Sequence, residues 1–165
     1  MTAPEFKLTA LEDLARECAA WQSAGEQVVL VNGAFDVLHV GHLRYLAAAR
    51  ALGDHLVVAV NSDASVRAGK GETRPIIPEN ERVETLSHLW MVDRICLFDS
   101  LTVAPVLERL KPSIHAKGTD YTVDTVPERD VVAAYGGRTE ICGDPKDHAT
   151  TDLIGIILER FGTEP

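Results

Sequence analysis

The sequence predicts an α/β domain of the doubly wound, Rossmann-like kind: a five-stranded parallel sheet with helices on both faces. Three observations carry this. Five short runs rich in β-branched and aliphatic residues stand apart along the chain, and a helical pattern fills the intervals between them. The runs are apolar almost without interruption, which marks strands covered on both faces. Strands alternating with helices, joined by right-handed crossovers, then lie parallel in one sheet.

The elements follow in order. Thr9 and Glu12 have the spacing of a capping box, and Leu8, Leu11, Leu14, Ala15, Cys18 and Ala19 recur at helical spacing until Gly25 ends the pattern. This predicts an N-terminal helix over 8–24. Strands are expected over 28–31, 56–60, 94–97, 114–116 and 138–142, each of strand length. Helices are expected over 41–51, 78–90, 102–110, 127–135 and 151–161. The one long irregular stretch is 61–77, NSDASVRAGKGETRPII, and a loop of that length in a compact domain is usually functional or mobile.

At 165 residues the chain suffices for one full hydrophobic core, so we expect a single domain over 1–165 with its core over 28–161. Hydrophobic residues at 45% and charged residues at 25% match globular averages and argue against disorder. No apolar run approaches bilayer length and the N-terminus is unlike a signal peptide, which makes the cytoplasm the expected compartment. Cys18, Cys96 and Cys142 are scattered and lack a C-x-x-C pair, so they read as buried thiols. A net charge of -9 argues against a broad nucleic-acid surface and leaves room for one basic pocket that takes a small anion.

Chemistry concentrates where ligands bind in such sheets, beyond the carboxyl ends of the strands. There the stretch NGAFDVLHVGH brings a glycine turn at Gly33, then Asp36, His39, Gly41 and His42, to the start of a helix. A helix N-terminus offers N–H groups to an anion, two histidines three apart can face the same phosphate, and Gly41 allows close approach to the backbone. Incidental histidines are the competing reading, and Gly41 between the pair weighs against it. A metal site is the lesser alternative, because no third ligand of suitable type is local.

These residues carry a resemblance. The stretch from GAFDVLHVGH through NSDASV is similar to the nucleotidyltransferase superfamily marked by H-x-G-H, in its cytidylyltransferase-like branch. With RPIIPENER, MVD and KGTDY added, the chain most resembles the adenylyltransferase domain of ADP-heptose synthase, with glycerol-3-phosphate cytidylyltransferase next. The resemblance runs from about Val28 to Ile157. It implies that a sugar-phosphate oxygen attacks the α-phosphorus of a nucleoside triphosphate and pyrophosphate leaves. ATP with a heptose 1-phosphate is favoured, CTP with glycerol 3-phosphate comes second, and a nucleotide-binding module without turnover is the alternative of another class.

The resemblance further implies that His39, His42 and Lys70 serve catalysis, with Mg2+ bridging the phosphates, and that Gly33, Ala34, Phe35, Asp36 and Gly41 surround the nucleotide. It also implies a homodimer, small-molecule substrates and no nucleic-acid or membrane partner. Several roles stay open on the residues alone. Lys70 reaches a phosphate or is a solvated loop lysine. Arg82 in ENER reaches the triphosphate or pairs with Glu79. Asp36 holds its loop or takes part directly. Lys117, Gly118 and Asp120 form a binding loop or a capped turn, while Asn61, Ser62 and Asp63 read equally as an Asx-type turn.

The chain departs from its relatives near the end, at GDPKDHATTDLIGII. Thr150 and Thr151 are kept, to meet a phosphate or merely to cap a helix, but Ala149 stands where relatives carry serine, after Asp144, Pro145, Lys146, Asp147 and His148. Ala34 likewise replaces a larger residue. These departures bear on the choice of nucleotide and acceptor more than on the reaction class. Some ADP-heptose synthases add a kinase domain, for which this chain has no room.

Overall fold

The computed structural model describes residues 7–145 and 149–162. Five strands, β1 (Val28–Gly33), β2 (His55–Asn61), β3 (Arg94–Phe98), β4 (Ile114–Lys117) and β5 (Arg138–Ile141), form one sheet in the order β3-β2-β1-β4-β5. All neighbours are parallel, with Val29 paired to Leu56 on one side of β1 and to Ile114 on the other. The helices are α1 (Leu11–Ser23), α2 (Val40–Arg50), α3 (Asp63–Lys70), α4 (Glu79–Ser87), α5 (Ala104–Leu110), α6 (Arg129–Ala134) and α7 (Thr150–Phe161). The strand order reverses direction at β1 and β4, and that switch point opens the crevice in which a doubly wound fold places its ligand.

Successive strand residues divide the core between two layers, as the two-residue period requires. Val29, Val31, Val58 and Val60 pack with Leu46 and Ala49 of α2 and with Val83 and Leu86 of α4. Val28, Leu30, Val57 and Ala59 pack on the other side with Leu14 and Cys18 of α1, Val106 and Leu107 of α5 and Val132 of α6. Both faces of the sheet are thus covered, as the apolar runs require. Cys18 and Cys96 are buried in the second layer, where burial pushes both thiols up to about 12. Cys142 is part-buried, and all three thiols are free.

Three expectations need correction. The first helix begins at Leu11 with Ala10 as its N-cap, and no side chain caps it. Leu8 and Thr9 instead run alongside β3, where the Thr9 N–H donates to the Ile95 carbonyl at 2.8 Å, and Glu12 pairs with Arg109. The stretch over 61–77 is not one loop, because α3 occupies its first half; Ser62 caps this helix, its hydroxyl accepting from the Ser65 N–H at 3.2 Å. The helix after Pro78 is shorter than its pattern, ending at Ser87. No helix among the described residues is long and apolar enough to cross a membrane.

Candidate active site

The carboxyl ends of β1 and β4 and the N-termini of α2 and α7 enclose a cavity of about 860 Å³. His39, Gly41 and His42 line it together with Gly33, Ala34, Phe35 and Asp36. Lys70 lines it from the end of α3, Lys117, Gly118 and Asp120 from the end of β4, and Thr150 and Thr151 from the start of α7. Residues separated by more than 100 positions therefore meet at one sheet edge.

His39 is the N-cap of α2: its backbone is extended, and its Nδ1 accepts the Gly41 N–H at 3.2 Å. A ring nitrogen that accepts carries no proton, so in the neutral ring the proton sits on Nε2. The His42 ring lies beside it, centroids 4.0 Å apart, and packs at 5.5 Å against Phe35. Phe35 takes a left-handed φ of 50°, and a side-chain carbon at Gly33 would sit 3.1 Å from its ring. Glycine thus leaves room for the aromatic wedge that supports the second histidine, and a larger residue would press on that ring.

Asp36 is a loop anchor. Its carboxylate is almost wholly buried and accepts the Ile76 and Ile77 N–H groups at 2.8 Å each, and Arg74 Nε at 2.6 Å. Burial raises its pKa, but these donors outweigh burial and hold it below the ordinary 3.8. The 71–78 segment is thereby fastened beside the cavity, which Arg74 lines.

Arg82 lies elsewhere than a triphosphate contact requires. Its side chain is fully buried and does not line the cavity. The guanidinium donates to the Ala34 carbonyl, to the Ile77 carbonyl at 3.0 Å and to Asp63 at 2.8 Å. Glu79, its expected partner, accepts the Asp63 N–H instead. Arg82 therefore ties the 33–36 turn to α3 and α4. Asn61 donates to the Ser65 hydroxyl at 2.9 Å, and Ser62 and Asp63 form the start of α3 in place of an Asx-type turn.

At the start of α7, Ala149 occupies the N-cap without a side-chain cap, and its N–H donates to Asp152 at 3.2 Å. Thr150 does not cap the helix; its hydroxyl donates to the Val37 carbonyl at 3.3 Å, fastening α7 to the loop before His39. Lys146, Asp147 and His148 lie outside the described residues.

Sequence reasoning missed several lining residues. Asn32, at the end of β1, accepts from Lys117 Nζ at 3.3 Å and meets His115 Nε2 at 3.0 Å. Tyr45 on α2 donates to the Ala116 carbonyl at 2.7 Å. Arg44 pairs with Asp144 at 3.1 Å, joining α2 to the loop before α7. The available signal was the polar residue breaking an apolar strand, His115 within IHAK and Asn32 after VVLV.

A family profile described as cytidylyltransferase-like matches residues 30–157. The chain belongs to the cytidylyltransferase-like family. Nucleotidyl transfer is the chemistry of that family, and the histidine pair with its glycine lies inside the matched region. Among its relatives, the bifunctional protein HldE of Geobacter sulfurreducens is 45% identical over 160 residues, covering 97% of this chain and 33% of that protein. The bifunctional protein HldE of Syntrophotalea carbinolica is 47% identical over 137 residues, covering 83% and 28%. The chain thus spans about a third of the length of these relatives. The crystal structure of a lipopolysaccharide core biosynthesis protein from Thermoplasma volcanium superposes with a TM-score of 0.61 at 34% identity, covering 71% of this chain and 94% of that one.

Proposed function

We propose that this chain transfers a nucleoside monophosphate, AMP by preference, from a nucleoside triphosphate to a phosphorylated sugar, by preference a heptose 1-phosphate. An acceptor phosphate oxygen attacks the α-phosphorus, the bond from that phosphorus to the β-phosphate oxygen breaks, and pyrophosphate leaves. The observation that carries the reading is the cavity edge where His39 and His42 stand side by side on the N-terminus of α2. Holding Nδ1 of His39 on the Gly41 N–H leaves Nε2–H as a donor for a phosphoryl oxygen. Negative charge grows on the α-phosphoryl and leaving oxygens, and donors fixed in advance stabilise it without reorganising.

Lys70, Lys117, Thr150, Thr151 and the amides of α2 and α7 supply the remaining contacts to two polyanions in this account. Gly33, Ala34, Phe35 and Gly41 shape the nucleotide pocket, with Gly118 and Asp120 at its far edge. Magnesium enters with the triphosphate as part of the substrate. The Asp36 carboxylate is already engaged by three donors, and no cluster of three His, Cys, Asp or Glu among the described residues is placed to form a metal cage. We read 1–165 as one transferase domain acting as a cytoplasmic homodimer, which sedimentation equilibrium tests.

The resemblance of the H-x-G-H region to the adenylyltransferase domain of ADP-heptose synthase favours ATP and a heptose phosphate, and the bifunctional protein HldE of Geobacter sulfurreducens matches 97% of this chain. The test is pyrophosphate release across ATP, CTP, GTP and UTP with a panel of sugar and polyol phosphates. Release confined to CTP with glycerol 3-phosphate would replace the substrates. Nucleotide binding without release from any pair would make the chain a binding module.

A further inference from the structure

At the switch point, the second layer of the core ends in polar groups. Leu30 of β1 is in register with His115 of β4, and two residues on, Asn32 and Lys117 share that face. His115 is fully buried, and Lys117 is nearly so, its ammonium lying 4.8 Å from the centre of the Tyr121 ring.

The donors and acceptors here permit one assignment. A lysine ammonium only donates, so the Asn32 atom 3.3 Å from Lys117 Nζ must be the amide oxygen. That oxygen also lies 3.0 Å from His115 Nε2, which must then carry the proton. His115 is neutral, so its Nδ1 is a bare acceptor, and it has no partner among the described residues. Two donors therefore hold one amide oxygen and fix the amide plane. The NH2 end is what remains for the cavity that Asn32 lines.

We propose that Asn32 is a substrate-binding residue that donates its amide N–H to a phosphate oxygen in the cavity, and that His115 is the positioning residue that locks the amide for it. This rests on the transferase reading only for the identity of the ligand. The phosphate belongs either to the nucleotide or to the acceptor, and both are tested.

The experiment measures binding of MgATP and of D-glycero-β-D-manno-heptose 1-phosphate separately by calorimetry, with KM and kcat alongside, for the full chain and four variants. Asn32→Ala removes the donor and should weaken one of the two ligands by about ten- to a hundredfold, the range expected for a hydrogen bond to a charged group. Asn32→Asp is the discriminating change. It keeps an acceptor for His115 and Lys117 but lacks the N–H, so a binding role predicts loss of the same one ligand in both Asn32 variants, whereas a structural role predicts that the aspartate restores what the alanine loses. His115→Leu should raise the same KM with kcat changed less, and His115→Gln, which restores a donor near Nε2, should recover it. Native affinity for both ligands in folded Asn32→Ala and Asn32→Asp would overturn the proposal. If no substrate pair supports turnover in the parent protein, the transferase reading fails, while the MgATP and heptose 1-phosphate titrations together still decide whether Asn32 binds a phosphate.

Discussion

His115 carries a pH signature that follows from its surroundings. Burial, and then the charge of Lys117, lower its pKa from 6.5 to about 3. Between those values the unfolded chain holds the extra proton and the folded protein does not, so stability falls as pH is lowered through that window, by up to about 1.4 kcal/mol per unit. Tm should therefore drop from pH 6.5 to 4.5 in the parent and drop less in His115→Gln. Equal slopes would contradict a buried neutral ring. Arg82 gives a second test at this scale. Replacing it with methionine leaves Asp63 and two carbonyls without their donor, and urea unfolding should show a loss of roughly 3 kcal/mol or more. Arg16→Ala, in an exposed pair with Asp13, should cost about 1 kcal/mol or less. Comparable losses in the two variants would remove Arg82 from its anchoring role.

The 71–78 segment is held chiefly through Asp36, which takes three donors from it, with Arg82 adding one bond to the Ile77 carbonyl. Asp36→Asn removes the charge that holds Arg74, so tryptic cleavage after the exposed Lys70 should speed up several-fold while the rest of the fold persists. Unchanged cleavage would mean the segment is held by other contacts. Lys70 closes α3 at the cavity wall, and because it is exposed, Lys70→Ala should raise the KM for the triphosphate without moving Tm; unchanged kinetics with ATP and CTP would exclude it from the site. The elements differ in how readable they were. VVLV, LVVAV and RICL announce strands because nothing else explains such β-branched runs, and the histidine pair is local, so its chemistry shows within four residues. By contrast, α3 was invisible: DASVRAGK buries only Ser65 and Val66, too little for a helical period. The role of Arg82 and the Asn32–His115 contact were hidden for another reason. Both depend on which carbonyl or strand neighbour lies opposite, a long-range matter of register that composition does not encode.

On the scale of the molecule, one sheet serves two apolar layers, so the layers should fail together. Leu86→Ala in one layer and Leu30→Ala in the other should each cost about 2–5 kcal/mol and shift the same single calorimetric transition. Two separable transitions would contradict one domain. The chain is acidic, at a net charge of -9, yet His39, His42, Lys70, Arg74 and Lys117 line a single cavity beside Asp36, Asp120 and Asp144, and the proposed polyanionic substrates would meet those cations there. The most direct test of that reading is pyrophosphate release with magnesium across four nucleoside triphosphates and a panel of sugar phosphates, run beside His42→Ala. The account expects release that needs one donor and one acceptor together and falls by at least about a hundredfold in the variant, with Tm unchanged. Release undiminished in folded His42→Ala would contradict it.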